Sequence, residues 1–322
     1  MLWVVSLFKA LLRLAALATF LSLFASYFWL SELLSHFPYQ YFIGGLICGI
    51  FVFFATGVSR YLHLCLAAFV LIYNGYAIWN AYENSAPYDF NKPTSIDIAH
   101  LNVLYTTSHT ADVAEIVTDK MLVNPPLIAN FQEVSPVAQG QLQKMRTKLP
   151  YNYAVPRLDS KGSSYFSVMA PENMQQIYSH GATAYTLKAT YKNLVAGKVV
   201  DVFSLHTYAP VVPKAASIRN EQLERLAELV NESQADYKIV IGDLNITPYS
   251  PYFKQFLKRT IMHHTVPNVF NSATWFLKKP LSMFGLPIDH VLVSEGLGVV
   301  SRKTIPIKWT DHFLVRTRLY VE

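Results

Sequence analysis

Three long apolar stretches near the N-terminus constrain the fold of this chain more than any other feature of its sequence. Residues 14–31, 37–59 and 61–82 contain no Asp, Glu, Lys or Arg. Each stretch is about as long as the roughly 20 helical residues that cross a hydrocarbon core. We therefore predict that residues 1–82 form an all-α region of three transmembrane helices. Two spans are the alternative.

The charges beside these stretches predict their orientation. Lys9 and Arg13 precede the first stretch, Arg60 separates the second from the third, and residues 32–38 contain no Lys or Arg. Because basic residues collect on the cytoplasmic side, the N-terminus and Arg60 are expected to face the cytoplasm. Three spans then place residue 83 onward outside. We predict a multi-pass protein of the inner (cytoplasmic) membrane with an extracytoplasmic, or periplasmic, C-terminal domain.

Composition separates the apolar front of the chain from an ordinary globular remainder. Of 322 residues, 52% are hydrophobic and only 15% are charged, and few of those charges precede residue 80. The net charge of +6 is too mild to demand a nucleic-acid partner. Both cysteines, Cys48 and Cys65, lie in the apolar stretches. The remainder therefore has no disulfide, no thiolate nucleophile and no cysteine-based zinc site.

Residues 83–94 are polar, include two prolines and are predicted to form a linker. After the linker, short β-branched strands alternate with amphipathic helices. Residues 96–104, 127–131, 199–205 and 239–241 read as strands, whereas Leu223, Leu226, Ala227 and Val230 share one helical face. This alternation predicts an α/β domain over residues 95–322.

Polar residues of the kinds used in catalysis stand next to the ends of these apolar strands. They are Asn102, Gln132 and Glu133, His206, Asp243 and Asn245, Asp289 and His290, and Asp311 and His312. Because neighbouring strands place their ends side by side, these residues are expected to line one cleft.

The chemistry of this set points to phosphate esters. Carboxylate and amide oxygens without cysteine favour Mg²⁺, with Mn²⁺ also possible, over a structural zinc. A histidine held by an aspartate can act as a general base on water. Any one of these residues alone could be a solvated charge or a turn residue. Their joint occurrence is the informative observation.

Six short motifs resemble those of the endonuclease/exonuclease/phosphatase superfamily, whose members include DNase I and exonuclease III. They are LN at 101–102, QE at 132–133, SLHTYAP at 204–210, IGDLN at 241–245, IDHVLVS at 288–294 and TDH at 310–312. They follow the order of that superfamily and span nearly all of the globular part. The resemblance implies a DNase I-like four-layer α/β sandwich, in which two mixed β-sheets are flanked by helices.

The resemblance also implies a role for each matched residue. Glu133, Asn102 and Asp311 correspond to the metal site. His312 corresponds to the catalytic base and Asp289 to the carboxylate that orients it, whereas His206 corresponds to a histidine that contacts the scissile phosphate. Asp243 and Asn245 correspond to the pair that positions water and phosphate. Whether Asp243 or His312 takes the proton stays open. Tyr165 and Tyr208 are candidates for gripping the phosphate.

The sequence thus predicts a membrane-anchored, Mg²⁺-dependent phosphoesterase that hydrolyses a phosphodiester or a phosphomonoester. The expected partners are the bilayer and a phosphoester substrate, either a lipid headgroup or a nucleic acid, and no obligate protein partner is evident. The alternative is a catalytically inactive membrane-tethered binding or scaffold protein on the same fold. That alternative predicts the loss of at least one site residue, and all eight are present.

Overall fold

A computed structural model describes residues 2–180, 184–195, 197–266, 273–275 and 284–322. The chain divides into two compact units. The helical unit consists of Met1–Asn84 together with Ile246–Gln255. The catalytic unit consists of Ser85–Asn245 and Phe256–Glu322. The second stretch of the helical unit therefore interrupts the sequence of the catalytic unit.

The N-terminal part of the helical unit contains four helices, α1 (Leu2–Ser22), α2 (Trp29–Leu34), α3 (Pro38–Phe53) and α4 (Ser59–Tyr82). Two of them are long and apolar enough to cross a membrane, over Trp3–Ser22 and Ser59–Tyr82. The helix α3, which lies between them in the chain, is apolar but has only 16 residues.

The helices α1 and α3 differ from the first two predicted spans. The stretch expected at 14–31 is replaced by α1, which begins at Leu2 and contains both Lys9 and Arg13. Lys9 Nζ donates to Ser59 Oγ at 2.9 Å, and Arg13 Nε lies 3.0 Å from His63 Nε2. Because these charges have partners on α4, they do not end the helix. The predicted span at 37–59 is likewise shortened to α3.

The catalytic unit contains two six-stranded sheets. The first is built from β1 (Ile96–Asn102), β2 (Ile128–Gln132), β3 (Tyr151–Val155), β4 (Ser163–Ser167), β11 (Leu297–Pro306) and β12 (Phe313–Val321). The second is built from β5 (Asn173–His180), β6 (Ala184–Val195), β7 (Lys198–Leu205), β8 (Tyr237–Asp243), β9 (Met262–His264) and β10 (Asp289–Ser294).

Both sheets are mixed. Their spatial orders are β11-β12-β1-β2-β4-β3 and β5-β6-β7-β8-β10-β9. The pairs β1/β2 and β7/β8 are parallel, and the other pairs are antiparallel. The remaining helices are α5 (Thr110–Val123), α6 (Pro136–Leu142), α7 (Pro213–Glu232) and α8 (Pro251–Thr260), with a 3₁₀ helix at Gln143–Thr147.

The alternation of side chains along β1 shows that the two faces of the first sheet pack against different layers. Ile96 and Ile98 belong to a buried apolar cluster that includes residues of both sheets, among them Val202 and Ile241. Leu101 belongs to a second cluster, which includes residues of α5 and α6. Strands that are buried on both faces are expected where helices cover the outer face of a sheet. The predicted four-layer α/β fold is confirmed.

Part of the predicted linker is bound to the sheets. Ala86 N donates to His264 O at 2.9 Å, and Asp89 N donates to Val299 O at 3.0 Å. The Tyr88 hydroxyl donates to the Thr265 carbonyl. Polar, proline-containing sequence can still pair at the edge of a sheet. The stretch between the end of α4 and the catalytic unit is therefore only Glu83 and Asn84.

Candidate active site

Strand register brings the predicted site residues to one edge of the catalytic unit. In the parallel pair β1/β2, Asn102 lies opposite Gln132, which precedes Glu133. In the antiparallel pair β8/β10, Asp243 lies opposite Asp289. Each sheet therefore contributes two neighbouring polar groups to the same site.

Gln132 fixes the two sheets to each other at this edge. Its Nε2 donates to Leu205 O on β7, and its Oε1 accepts from Asp243 N on β8, both at 2.8 Å. Gly242 permits this close approach, because a Cβ there would collide with the Leu205 carbonyl and meet Gln132 Nε2. Its φ of 153° is also one that favours glycine.

Asn102 holds two carboxylates together. It is fully buried, and its Nδ2 donates to Glu133 Oε1 at 3.0 Å and to Asp243 Oδ2 at 3.1 Å. Its Oδ1 accepts from Leu104 N at 3.0 Å. Asn102 was predicted to be a metal-site residue. In this arrangement its Nδ2 positions two carboxylates, and its role at a metal stays a prediction.

Glu133 has a left-handed backbone, with φ of 58°. Such a conformation is strained for a residue with a side chain and is often found at functional sites. Its Oε2 accepts from Tyr105 N at 3.1 Å, and its Oε1 lies 3.8 Å from His206 Nε2. The turn after β2 thus presents this carboxylate to the site.

Asp243 stands between two histidines. Its Oδ2 lies 3.6 Å from His206 Nε2 and 3.7 Å from His312 Nε2, and its Oδ1 accepts from Asn245 N at 3.0 Å. Burial raises the pKa of Asp243, but the hydrogen bond from His206 and the charge of His312 outweigh burial and lower it. Asp243 is therefore a carboxylate at neutral pH.

Asp289 has both oxygens occupied. Oδ2 accepts from His312 Nδ1 at 2.8 Å, and Oδ1 accepts from His100 Nε2 at 3.0 Å. The ring of His100 is held in turn by Asn130, whose Nδ2 lies 3.1 Å from Nδ1. Ser204 Oγ donates to Asn130 Oδ1 at 2.7 Å. This buried chain of hydrogen bonds orients the imidazole of His312.

The pair Asp289–His312 is strongly coupled. Burial would lower the pKa of His312, but the Asp289 carboxylate raises it to about 10. Burial would raise the pKa of Asp289, but His312 and His100 hold it well below its usual range. At neutral pH, in the absence of a cation, His312 carries a proton and can donate from Nε2 toward the cleft.

His206 faces the cleft with one defined nitrogen. Its Nδ1 lies 2.8 Å from Ser160 O, and because a carbonyl can only accept, Nδ1 carries hydrogen. Its Nε2 is left to face Glu133 and Asp243. Lys161 follows Ser160, and its ammonium lies 3.8 Å from the centre of the Tyr208 ring. Burial lowers the pKa of Lys161, whereas the charges of Glu133 and Asp243 oppose that effect.

Asn245 is held through its side-chain amide and through its backbone carbonyl. Its φ is 47°, its Nδ2 donates to Thr207 O at 3.1 Å, and its carbonyl accepts from Arg219 Nη1 at 3.2 Å. Arg219 is fully buried on α7. With Nδ2 and the backbone engaged, the side-chain oxygen is the part of Asn245 that remains for water or substrate.

The donor set fits a divalent cation. Asp311 Oδ2 accepts from Trp275 Nε1 at 2.8 Å. Asp311 Oδ1 is buried, and no group among the described residues donates a hydrogen bond to it. The Thr310 hydroxyl beside it donates to Asn102 O. A buried carboxylate oxygen without a hydrogen-bond donor among the described residues is what a hard cation would satisfy.

A second group of ligand atoms is less suitable for a cation. Among the described residues, Asp243, Asp289 and His312 offer ligand atoms within 4.8 Å of one another. Asp289, however, already accepts from two histidines.

The two tyrosines predicted to grip the phosphate have different surroundings. Tyr208 lies beside Lys161 and remains a candidate. Tyr165 is 2% exposed in the cluster between the sheets, and its hydroxyl pairs with Tyr191 at 3.0 Å. The prediction for Tyr165 is wrong, because both faces of its strand are buried and alternation cannot show which side chain reaches the cleft.

Sequence reasoning missed His100, Lys161 and the bridging role of Gln132. His100 and Asn130 were detectable as polar residues inside apolar strands. Lys161 has no comparable signal, because it follows a polar loop and reaches the site only in the folded chain.

Comparison with known proteins agrees with this fold. Residues 77–312 match the model of the Endonuclease/Exonuclease/phosphatase family. A comparison with curated proteins finds no significant match. One similar structure is TDP2 from C. elegans, with 13% identity, a TM-score of 0.56, and coverage of 70% of this chain and 75% of that one.

Two bacterial structures titled as endonuclease/exonuclease/phosphatase proteins are also similar. The one from Bacteroides thetaiotaomicron has 16% identity and a TM-score of 0.55, and the match covers 72% of this chain and 99% of that one. The one from Beutenbergia cavernae DSM 12333 has 15% identity and a TM-score of 0.57, with coverage of 70% and 71%. At these identities the likeness establishes the fold alone.

The fold and the convergence of carboxylates and histidines define a DNase I-like hydrolase. The family match extends over most of the chain, and the chain belongs to the endonuclease/exonuclease/phosphatase family. It is an enzyme that hydrolyses phosphoester bonds.

Proposed function

We propose that this enzyme is a membrane-anchored phosphodiesterase that depends on Mg²⁺ or Mn²⁺. The observation that carries the proposal is the position of Asp243, whose Oδ2 lies 3.6 Å from His206 Nε2 and 3.7 Å from His312 Nε2. A carboxylate between two imidazoles can handle a proton next to a phosphoryl group that those imidazoles contact.

The charges favour a diester over a monoester. The site already contains the carboxylates of Glu133, Asp243 and Asp311, and a monoester adds up to two more negative charges, whereas a diester adds one. A cation held by Glu133 and Asp311 would offset part of this charge and polarise the phosphoryl oxygens. A diester therefore needs less positive charge in the site to balance its own negative charge.

The proposed reaction is attack by water on phosphorus. Asn245 and Asp243 hold the water, His206 lies beside the phosphoryl group, protonated His312 donates from Nε2 to a phosphoryl oxygen, and the bond from phosphorus to the leaving alcohol breaks. Of the two proton acceptors that the sequence left open, Asp243 is favoured in the cation-free site, because Asp289 keeps a proton on His312. The leaving alkoxide takes a proton from solvent.

The membrane anchor is supported by helix length and by aromatic residues. Exposed aromatic side chains occur at one end of the helices, at Trp3, Phe54 and Tyr61, and at the other, at Tyr27, Phe28, Tyr76 and Trp79. On α4, Tyr61 and Trp79 are separated by about 27 Å along the axis. That spacing is close to the roughly 30 Å of a hydrocarbon core, at whose two surfaces aromatic residues collect.

The orientation predicted from Lys9, Arg13 and Arg60 places the C-terminal ends of α1 and α4, next to Tyr27 and Trp79, outside the cytoplasm. We propose that the catalytic unit faces that side. A C-terminal reporter that is active only in the cytoplasm would contradict this topology.

The test of activity uses the full chain in detergent with bis-p-nitrophenyl phosphate. We expect turnover with Mg²⁺, no turnover with EDTA, and loss of turnover in Glu133→Ala and His312→Ala. Ser217→Ala, at an exposed position of α7, is the matched control and keeps activity. Turnover that survives EDTA would contradict the dependence on a metal, and turnover that persists in both site variants would show that this site is not the reacting centre.

A further inference from the structure

The chain leaves the active site directly into the helical unit. Asn245 is the last residue of one stretch of the catalytic unit, and Ile246–Gln255 belongs to the helical unit. The segment Ile246–Gln255 is therefore both an extension of the catalytic loop and a part of the body that contains the apolar helices.

A buried polar cluster holds this segment in the helical unit. Ser250 Oγ donates to Glu32 Oε1 at 2.8 Å, and Thr247 Oγ1 lies 2.8 Å from His36 Nδ1. Glu32 Oε1 and His36 Nε2 are 3.1 Å apart. All four side chains are buried, so solvent does not compete for these contacts.

A second contact ties the segment to the end of α4. The hydroxyls of Tyr82 and Tyr249 are 3.2 Å apart, and the two rings meet edge to face. Tyr82 is the last residue of α4. Glu32 and His36 lie in the connection between α1 and α3. The segment therefore contacts two connections of the helical unit.

These two connections lie at the same end of the helices. Contacts join Lys9 with Ser59, Arg13 with His63 and Thr19 with Asn74, so α1 and α4 run in parallel. The connection after α1 and the end of α4 therefore face the same side. If these helices span a bilayer, the cluster lies at the level where they leave the hydrocarbon core.

The covalent chain limits how far the active site can lie from that level. Asn245 is two residues from Thr247, so their Cα atoms are at most about 8 Å apart. The headgroup region on each side of a bilayer is roughly 5–8 Å thick. Asn245 therefore stays within reach of the phosphates of membrane lipids without their removal from the bilayer.

Resting on the proposed phosphodiesterase function, we infer that the substrate is the phosphodiester in the headgroup of a lipid in the same bilayer as the helices. The segment Ile246–Gln255 fixes the catalytic Asn245 at headgroup depth through its contacts with Glu32, His36 and Tyr82. A lipid diffusing in that leaflet meets the site at a high effective concentration.

A nucleic acid is the less favoured substrate. Its binding depends on many phosphate contacts with basic side chains, whereas the chain has a net charge of only +6. A long polyanion would also have to approach a surface on which lipid headgroups are often anionic. The experiment described next therefore also measures cleavage of a nucleic acid.

The test compares lipid in the same bilayer with lipid in another. The full chain is reconstituted into vesicles of phosphatidylethanolamine and phosphatidylglycerol, with labelled lipid either in those vesicles or in protein-free vesicles. We expect hydrolysis in the same bilayer to be at least about tenfold faster than between vesicles. Bis-p-nitrophenyl phosphate and a DNA oligonucleotide are supplied in parallel reactions.

Each outcome decides the question. Equal rates in the same and separate vesicles, or cleavage of the soluble diester or DNA but not of lipid, overturn the inference and leave the proposed phosphodiesterase intact. No turnover of any diester overturns the proposed function, and the inference with it.

The variants Thr247→Val and Ser250→Ala test the role of the cluster. We expect each to lower the rate on lipid in the same bilayer more than the rate on the soluble diester, because the site is less firmly held at headgroup depth. Ser217→Ala, which removes an exposed hydroxyl instead of a buried one, should change neither rate. An equal loss on both substrates in the cluster variants would indicate a general structural effect and would contradict the inference.

Discussion

The helical unit and the catalytic unit each bury a carboxylate beside a histidine, with different results. Glu32 and His36 are 3.1 Å apart, and Asp289 and His312 are 2.8 Å apart. In the helical unit the hydroxyls of Thr247 and Ser250 also contact the pair. In the catalytic unit the outer nitrogen of the histidine faces another carboxylate in a cleft.

This difference shows that partners, and not residue types, decide what such a pair does. His36 Nδ1 lies 2.8 Å from Thr247 Oγ1 and its Nε2 lies 3.1 Å from Glu32 Oε1, so the ring lies among protein groups and holds a chain segment. The Nδ1 of His312 is held by Asp289, whereas its Nε2 lies 3.7 Å from Asp243, which leaves room for a reacting group. Open geometry on one side makes the second pair suitable for catalysis.

The largest expected effect tests this contrast directly. Asp243→Asn removes the charge and the proton acceptor at the site, and we expect kcat on bis-p-nitrophenyl phosphate to fall roughly 10³-fold. Glu32→Gln, the matched change in the helical unit, should alter this kcat far less. Steady-state kinetics in detergent measure both. A comparable loss in the two variants would mean that the two pairs do not differ in the way described.

An intermediate effect is expected at His100, which holds the second oxygen of Asp289. His100→Ala leaves that oxygen without its donor and lets the imidazole of His312 turn, so we expect kcat to fall about tenfold or more with KM little changed. His100→Gln keeps an N–H donor and should recover part of the rate. If Ala and Gln variants are equally slow, His100 acts through packing instead of through Asp289.

These contacts also show where sequence reasoning succeeds. Asn102, Glu133, Asp243, Asp289 and His312 could be predicted because each stands at a strand end, and pairing between neighbouring strands brings such ends together. The resemblance supplied their order. The four-layer fold followed from the same motifs and from the alternation of strands and helices.

The failures have a common physical cause. Tyr165 was misplaced because both faces of β4 are buried, which removes the alternation that identifies an exposed side chain. The start of α1 was missed because Lys9 and Arg13 have partners on α4, 50 residues away in each case. Residues 246–255 belong to the helical unit because of their contacts with Glu32 and His36, and no local sequence pattern predicts these contacts.

The smallest expected effect concerns stability and pH. The pKa of His312 is raised from 6.5 to about 10, so its contribution to stability is complete below pH 6.5 and is lost as pH rises through 10. The pKa of Asp289 is lowered from 3.8, so its contribution is present above pH 3.8 and is lost at more acidic pH. The pair therefore stabilises the fold most between pH 3.8 and pH 6.5.

Asp289→Asn should therefore lower the apparent Tm by several degrees near pH 6 in EDTA, and by less as pH approaches 10. Thermal unfolding of the full chain in detergent, followed by tryptophan fluorescence, measures the difference between the variant and the wild type at each pH. Ser217→Ala controls for the effect of pH on the rest of the chain. A destabilisation that stays constant from pH 6 to pH 10 would show that Asp289 supports the fold through hydrogen bonds alone, and the contrast with the pair of Glu32 and His36 would then have to rest on geometry.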